Sequence, residues 1–175
     1  MTTAPTMDII APVEADPAQA FRLAMRRLAS SVALVTTADP DGLPCGIAMT
    51  AFMSLTMDPP ALLMAVNCTA SLCPPLLERG RFAVNILSED LAASCHAFVA
   101  TPAAERFDTV TWSDVGDGIP VVHGAVATIL CCVDKAEPFG SHMVVRGLVE
   151  RVMLGECDRP LAYLDGRYGT VSLND

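Results

Sequence analysis

The chain has 175 residues, of which 52% are hydrophobic and 18% charged, and its formal net charge is −9. This composition excludes a disordered chain, and the length predicts one domain with a substantial core. The ten arginines and the single lysine form no basic stripe, and no uncharged segment has the unbroken apolar character of a membrane span. A nucleic-acid partner and a membrane-embedded form are therefore not expected.

The seven cysteines are an odd number, and the first residues lack the basic and long apolar regions of a secretion signal. We therefore expect reduced thiols in the cytoplasm, used as small apolar core residues. Their spacing matches no zinc motif, so no metal site is predicted. Residues 1–16 are predicted to be a flexible tail, followed by one domain over residues 17–175.

The predicted elements begin with a helix. Asp16 is a suitable N-cap, proline follows at the first helical position, and apolar residues then recur at helical spacing to about Ala29. The run "SVALVTTA" predicts a strand that turns at residues 39–42, where Gly42 is suited to positive φ. The segment "LPCGIAMTAFMSLT" is predicted to return as one second strand.

Two short apolar strands follow, "ALLMAVN" and "RFAVNIL", with a short helix between them. Ser88 is predicted to cap a helix over "EDLAASCHAFVA", and residues 101–120 to form a loop. From Val121 onwards two long strands are expected, joined through residues 137–141. Because the strands come in hairpins, we predict a mostly antiparallel sheet closed into a β-barrel, with a few helices packed outside.

The segment "TAFMSLTMDPP", residues 50–60, combines apolar side chains with hydroxyl groups and ends at two prolines. One interpretation is a barrel strand whose hydroxyls satisfy the local backbone. The other is a ligand-lining segment, because a bent strand offers consecutive N–H donors beside apolar contact surface. The residues alone leave both interpretations open.

The ordered set of these segments resembles the flavin reductase-like domain family, the FMN-binding split barrel. The resemblance runs from about Phe21 to Tyr168 and includes "RFAVNILSEDLAASCHAFV", "GSHMVVRGLVE" and "PLAYLDGRYG". It implies an antiparallel split β-barrel, mostly β with a few helices. It also implies a homodimer that builds the flavin site at its subunit interface.

The resemblance further implies roles for single residues. The flavin contacts that it implies are Thr50, Ala51, Phe52, Ser54, Leu55, Asn67, Ser71, Phe82, Asn85 and Arg106. Asn67 and Ser71 correspond to a polar pair at the ribityl chain and phosphate, where Ser71 is alternatively a plain helix cap. Phe82 and Asn85 border the flavin in the family or serve as core and backbone support. Arg106 pairs with a phosphate or is a solvated loop charge. His142, the candidate catalytic residue, corresponds to a histidine on the nicotinamide side, with Ser141 in place of the commoner aspartate.

By this resemblance the protein is an NAD(P)H:flavin oxidoreductase that supplies reduced flavin to a separate monooxygenase. FMN is the expected flavin and FAD the other possibility, with NADH preferred to NADPH because no arginine pair marks a 2′-phosphate site. The main alternative is a non-catalytic FMN-binding redox carrier or sensor on the same barrel. A relative that handles pyridoxal phosphate or haem is a third reading, which the single lysine and three ordinary histidines do not favour.

Overall fold

The computed structural model describes residues 16–116 and 118–172. Its helices are α1 (Pro17–Met25), α2 (Cys73–Arg79) and α3 (Ala92–Ala100), with 3-10 turns at Glu89–Leu91 and Ala103–Thr109. The strands are β1 (Ser30–Ser31), β2 (Ala33–Ala38), β3 (Pro44–Met49), β4 (Phe52–Met57), β5 (Pro60–Asn67), β6 (Arg81–Leu87), β7 (Trp112–Asp114), β8 (Pro120–Val122), β9 (Ala125–Phe139), β10 (His142–Leu154), β11 (Ala162–Leu164) and β12 (Arg167–Gly169). The predicted tail lies outside the described residues, except for Asp16.

Seven strands form one sheet in the order β3-β2-β6-β9-β10-β5-β4, and every neighbouring pair is antiparallel. The two edge strands, β3 and β4, are consecutive in sequence but are not paired with each other. The curled sheet is therefore an open, split barrel, which confirms the predicted fold class. Two small sheets, β7-β8 and β1-β11-β12, complete the structure.

The main core lies inside the curled sheet and is closed at one end by α2, which contributes Leu72, Cys73 and Leu76. A second core lies between β2, α3 and the 3-10 turn after it, where Phe98 and Phe107 meet edge to face at 5.4 Å. These two cores contain most of the large buried side chains, and a small third cluster is formed by Ala83, Ile119 and Leu130.

Helix α1 begins as predicted, with the carboxylate of Asp16 accepting a hydrogen bond from the Gln19 N–H at 3.3 Å. It ends at Met25, four residues before the predicted end. The reason is tertiary: the carbonyl of Arg26 accepts a hydrogen bond from the N–H of Asp165 in the β11–β12 turn. None of its residues is buried, so the helix lies over the protein with its apolar side chains largely uncovered.

The predicted second strand is in fact two strands, because the chain bends at Thr50 and Ala51 and passes from one sheet edge to the other. The predicted loop 101–120 also contains structure, since β7 pairs with β8 and Asp114 accepts hydrogen bonds from two glycine N–H groups. The long hairpin turns only at Gly140 and Ser141, so residues 137–139 belong to β9 rather than to a connection.

Candidate functional site

An open groove of about 680 Å³ lies between α1 and the outer face of the sheet. One wall is the corner that joins β3 to β4, formed by Thr50, Ala51 and Phe52. Met25 and Leu28 reach it from the α1 side, and the β11–β12 hairpin closes one end. The structure therefore brings together a helix, a bent edge strand and a distant hairpin around one concave, mainly apolar space.

The floor of the groove includes the large side chains of Met53 and Leu63 and, beside them, the small side chains of Ala65 on β5, Val144 on β10 and Ala51 at the corner. The N–H of Ala65 donates to the carbonyl of Ala51 at 3.0 Å, and Val144 is the register partner of Ala65. Because residues directly opposite in antiparallel strands project to the same face, these three side chains lie side by side. Such a floor offers an apolar surface to a planar ring.

Asn67 and His142 continue the same face toward the end of the sheet. They are register partners in β5 and β10, two residues beyond Ala65 and Val144, or about 7 Å along the strands. The Ser141 hydroxyl lies 2.9 Å from His142 Nδ1. This serine therefore holds the imidazole in place by a hydrogen bond from the neighbouring residue.

Ser71 and Arg106 lie together beyond the end of β5. Arg106 Nη1 donates to the carbonyl of Gly46 at 3.1 Å and to Ser71 Oγ at 3.4 Å, and its Nε donates to the carbonyl of Thr101. The N-cap of α2 is Leu72, so Ser71 is not the helix cap that the sequence offered as an alternative. The arginine is likewise anchored by the backbone rather than lying free in a loop.

The groove is closed at its α1 side by an ion pair between two residues that are far apart in sequence. Arg26 Nε lies 2.8 Å from Asp165 Oδ1, and its Nη2 donates to the Asp165 carbonyl. The hydrogen bond and charge of Arg26 hold the pKa of the Asp165 carboxyl below its ordinary value. We call these contacts, with the Asp165 N–H bond to the Arg26 carbonyl, the α1 latch.

Phe82 and Asn85 do not reach this groove, because both are fully buried in the barrel. Asn85 donates to the Leu34 carbonyl and to Thr36 Oγ1, and its Oδ1 accepts from the Val122 N–H and from Thr128 Oγ1. Their implied role as flavin contacts is therefore corrected to the alternative, core packing and backbone support. Each side chain has no surface left for a ligand.

Ser54 and Leu55 lie further along edge strand β4, with exposed side chains beyond the groove lining. His123 lies elsewhere and contacts Ser113 at 3.0 Å. The sequence missed the groove residues of α1 and of the β11–β12 turn. The one signal for them was on α1, where helical periodicity assigned the apolar residues to the core and the arginines to the solvent-exposed face.

The cysteines form no disulfide, and burial raises the pKa of the Cys131 thiol to about 12. Within residues 16–116 and 118–172, no cluster of three or more histidine, cysteine or acidic side chains is placed to hold a metal ion. The described part of the chain also contains no helix long and apolar enough to cross a membrane.

Known proteins resemble this chain in sequence and in fold. The FMN reductase (NADH) RutF 2 of Rhizobium rhizogenes is 34% identical, covering 96% of this chain and 99% of that protein. The actinorhodin polyketide dimerase of Streptomyces coelicolor is 35% identical, covering 86% and 85%. The solved structure of a nitrilotriacetate monooxygenase component B homologue from Mycobacterium thermoresistibile has a TM-score of 0.82 at 28% identity, covering 89% and 87%. The sequence model of the flavin reductase like domain matches residues 25–172, and the chain belongs to that family.

Proposed function

We propose that this protein is an NADH-dependent flavin reductase that binds FMN in the groove and passes reduced flavin to a separate monooxygenase. The observation that carries the proposal is the continuity of the groove floor with the row of Asn67 and His142. One relative is named an FMN reductase (NADH), and one structural neighbour a monooxygenase component homologue. FAD is the other flavin that the same groove would accept at its ring end.

The groove fits the ring of a flavin on two grounds. Its floor is mainly apolar, and its volume lies within the range of pockets that bind small molecules. The bound flavin supplies the capacity to accept a hydride. The protein orients the ring through Thr50, Ala51 and Phe52, and Ser54 and Leu55 extend this contact along the edge strand.

The polar end of the site matches the remainder of the cofactor. The Oδ1 of Asn67 accepts bonds from Thr69, so its amide N–H groups are the donors it offers to a ribityl chain. Ser71 and Arg106 form a hydroxyl and guanidinium pair suited to a phosphate. Because Arg106 is held by two backbone carbonyls, it presents this charge without a large loss of side-chain entropy.

His142 is proposed to orient the nicotinamide. A Ser141 hydroxyl that donates to Nδ1 requires the ring proton on Nε2, which then serves as a donor to the carboxamide. No protein nucleophile is needed, because the hydride passes between the two bound molecules. The chain positions both rings and excludes water between them.

A homodimer is proposed to complete the site. The side chains of Phe21, Leu23 and Met25 in α1 and of Leu28 just after it are exposed, as is Met57 on edge strand β4. Exposed apolar side chains beside a groove are typical of an interaction surface, and a symmetric partner covers them in both copies at once. The seven unpaired cysteines fit action in a reducing compartment, and we propose the cytoplasm.

The test is NADH oxidation at 340 nm with FMN and, separately, with FAD. Turnover with either flavin is expected, and a yellow protein without turnover would establish the redox carrier instead. His142→Ala should raise the KM for NADH or lower kcat by about 3- to 12-fold, with little change in flavin affinity. His123→Ala removes a histidine away from the groove and is the matched control. Equal effects of the two substitutions would remove His142 from the site.

A further inference from the structure

Phe139 is an exposed aromatic residue that neither core uses. It is the last residue of β9, and its side chain is 81% exposed. Only Gly140 and Ser141 separate it from His142, the first residue of β10. A solvent-exposed phenylalanine at a hairpin tip contributes little to the stability of the fold. Its apolar surface can therefore be buried by a bound ligand.

The strand register fixes the direction of this ring. Phe139 and His142 are register partners, and His142 is in turn the partner of Asn67. Directly opposed residues project to the same face, with Cβ atoms about 4.5–5.5 Å apart. Phe139 therefore continues the row of Asn67 and His142, one strand further from the groove floor.

The reaction brings a second planar molecule to this end of the groove. A nicotinamide dinucleotide carries two flat rings joined by a flexible pyrophosphate. When the nicotinamide lies beside His142 to reach the flavin, the flexible pyrophosphate allows the adenine to reach the surface next to His142. The side of His142 away from the groove floor is occupied by Phe139, whose exposed face is suited to stacking on a base.

We propose that Phe139 stacks on the adenine ring of NADH and so determines the affinity for the dinucleotide. This rests on the proposed reductase function. Phe139 makes no contact with the flavin and takes no part in hydride transfer. Its substitution therefore changes the binding of the adenine half alone.

The experiment compares Phe139→Ala with Leu154→Ala, which removes an equally exposed apolar side chain from the opposite end of β10. Phe139→Ala should raise the KM for NADH by about 2- to 12-fold. The KM for reduced nicotinamide mononucleotide, which lacks the adenine, should not change. Phe139→Tyr should restore the NADH value, and Leu154→Ala should behave as wild type.

A binding measurement makes the result independent of turnover. Calorimetric titration of flavin-free protein with ADP-ribose should show weaker binding in Phe139→Ala by a similar factor, with FMN affinity and light-scattering mass unchanged. An equal loss for NADH and the mononucleotide, a loss of FMN affinity, or a change of mass would overturn the proposal. If the wild type neither oxidises NADH nor binds ADP-ribose, the proposed function fails as well. If the wild type does both and Phe139→Ala is unaltered, this inference alone fails.

Discussion

Replacing Asn85 by alanine is expected to destabilise the protein strongly and to affect flavin binding only through that loss. The side chain is fully buried and makes four hydrogen bonds, at 2.9–3.1 Å, to groups on β2, β8 and β9. At about 0.5–1.5 kcal/mol for each bond, the expected loss is about 2–6 kcal/mol. That is a large part of the stability of an ordinary domain.

The assay is urea unfolding at one fixed protein concentration, since association shifts the apparent stability. With an m-value of about 2 kcal/mol per molar, the midpoint should fall by about 1–3 M. Thr128→Val removes only the bond from Thr128 Oγ1 to Asn85 and should cost about 1 kcal/mol. Thr37→Val is the matched control, because its buried hydroxyl binds the Arg81 carbonyl outside this cluster.

The decisive comparison is FMN affinity in Thr128→Val, a variant expected to remain folded. If the midpoint is unchanged while FMN affinity falls, the cluster is part of the flavin site and the assignment to backbone support is wrong. The same conclusion follows if Asn85→Ala unfolds at the wild-type urea concentration but no longer binds FMN.

Three further results are expected. Gly147→Ala should lower the melting temperature and cost about 1–3 kcal/mol, because its Cβ would lie 2.5 Å from a buried phenylalanine ring carbon. Iodoacetamide at pH 8 should label exposed Cys68 and leave Cys131 unmodified until urea is added, as read by mass spectrometry; equal labelling would contradict the buried, pKa-raised thiol. Because bonding to Arg26 lowers the pKa of Asp165, the ion pair contributes fully above the ordinary value of 3.8 and is lost only as pH falls below it. The protection factors of the α1 amides, which are exchange rates corrected for the intrinsic effect of pH, should therefore fall below about pH 4 but not change between pH 5 and 8, and Asp165→Asn should remove that acid dependence.

The barrel could be predicted because its strands carry local signals. The strand at Arg81–Leu87 has the predicted bounds, since a short apolar run bounded by turns leaves few alternatives. The end of α1 could not be predicted, because it depends on a hydrogen bond from Asp165, 139 residues away. The bend at Thr50 was missed for a similar reason, since a change of sheet edge leaves no mark on the hydrophobic pattern.

The candidate site, too, could be predicted only in part. The resemblance pointed to the corner residues, and the structure places Thr50, Ala51 and Phe52 in the groove lining, whereas the roles of His142 and of the Ser71–Arg106 pair stay predictions. The resemblance did not distinguish buried Asn85 from the candidate ligand contacts, because the sequence shows the same asparagine whether its side chain supports the backbone or binds a ligand. Phe139 was assigned to a connection, and only the register with His142 shows which face it occupies.

The α1 latch has a consequence for synthesis on the ribosome. Arg26 and Asp165 are 139 residues apart, so the helix emerges about 7–28 s before its anchor at ordinary elongation rates. Through that interval the apolar side chains of α1 have no groove to cover. The apolar side chains of α1, which are largely exposed even in the folded chain, then have no fixed position, and such a segment is the kind of surface that chaperones bind. Because residue 165 still lies inside the ribosome when the chain has just been extended past it, the latch is expected to form only after that residue leaves the exit tunnel.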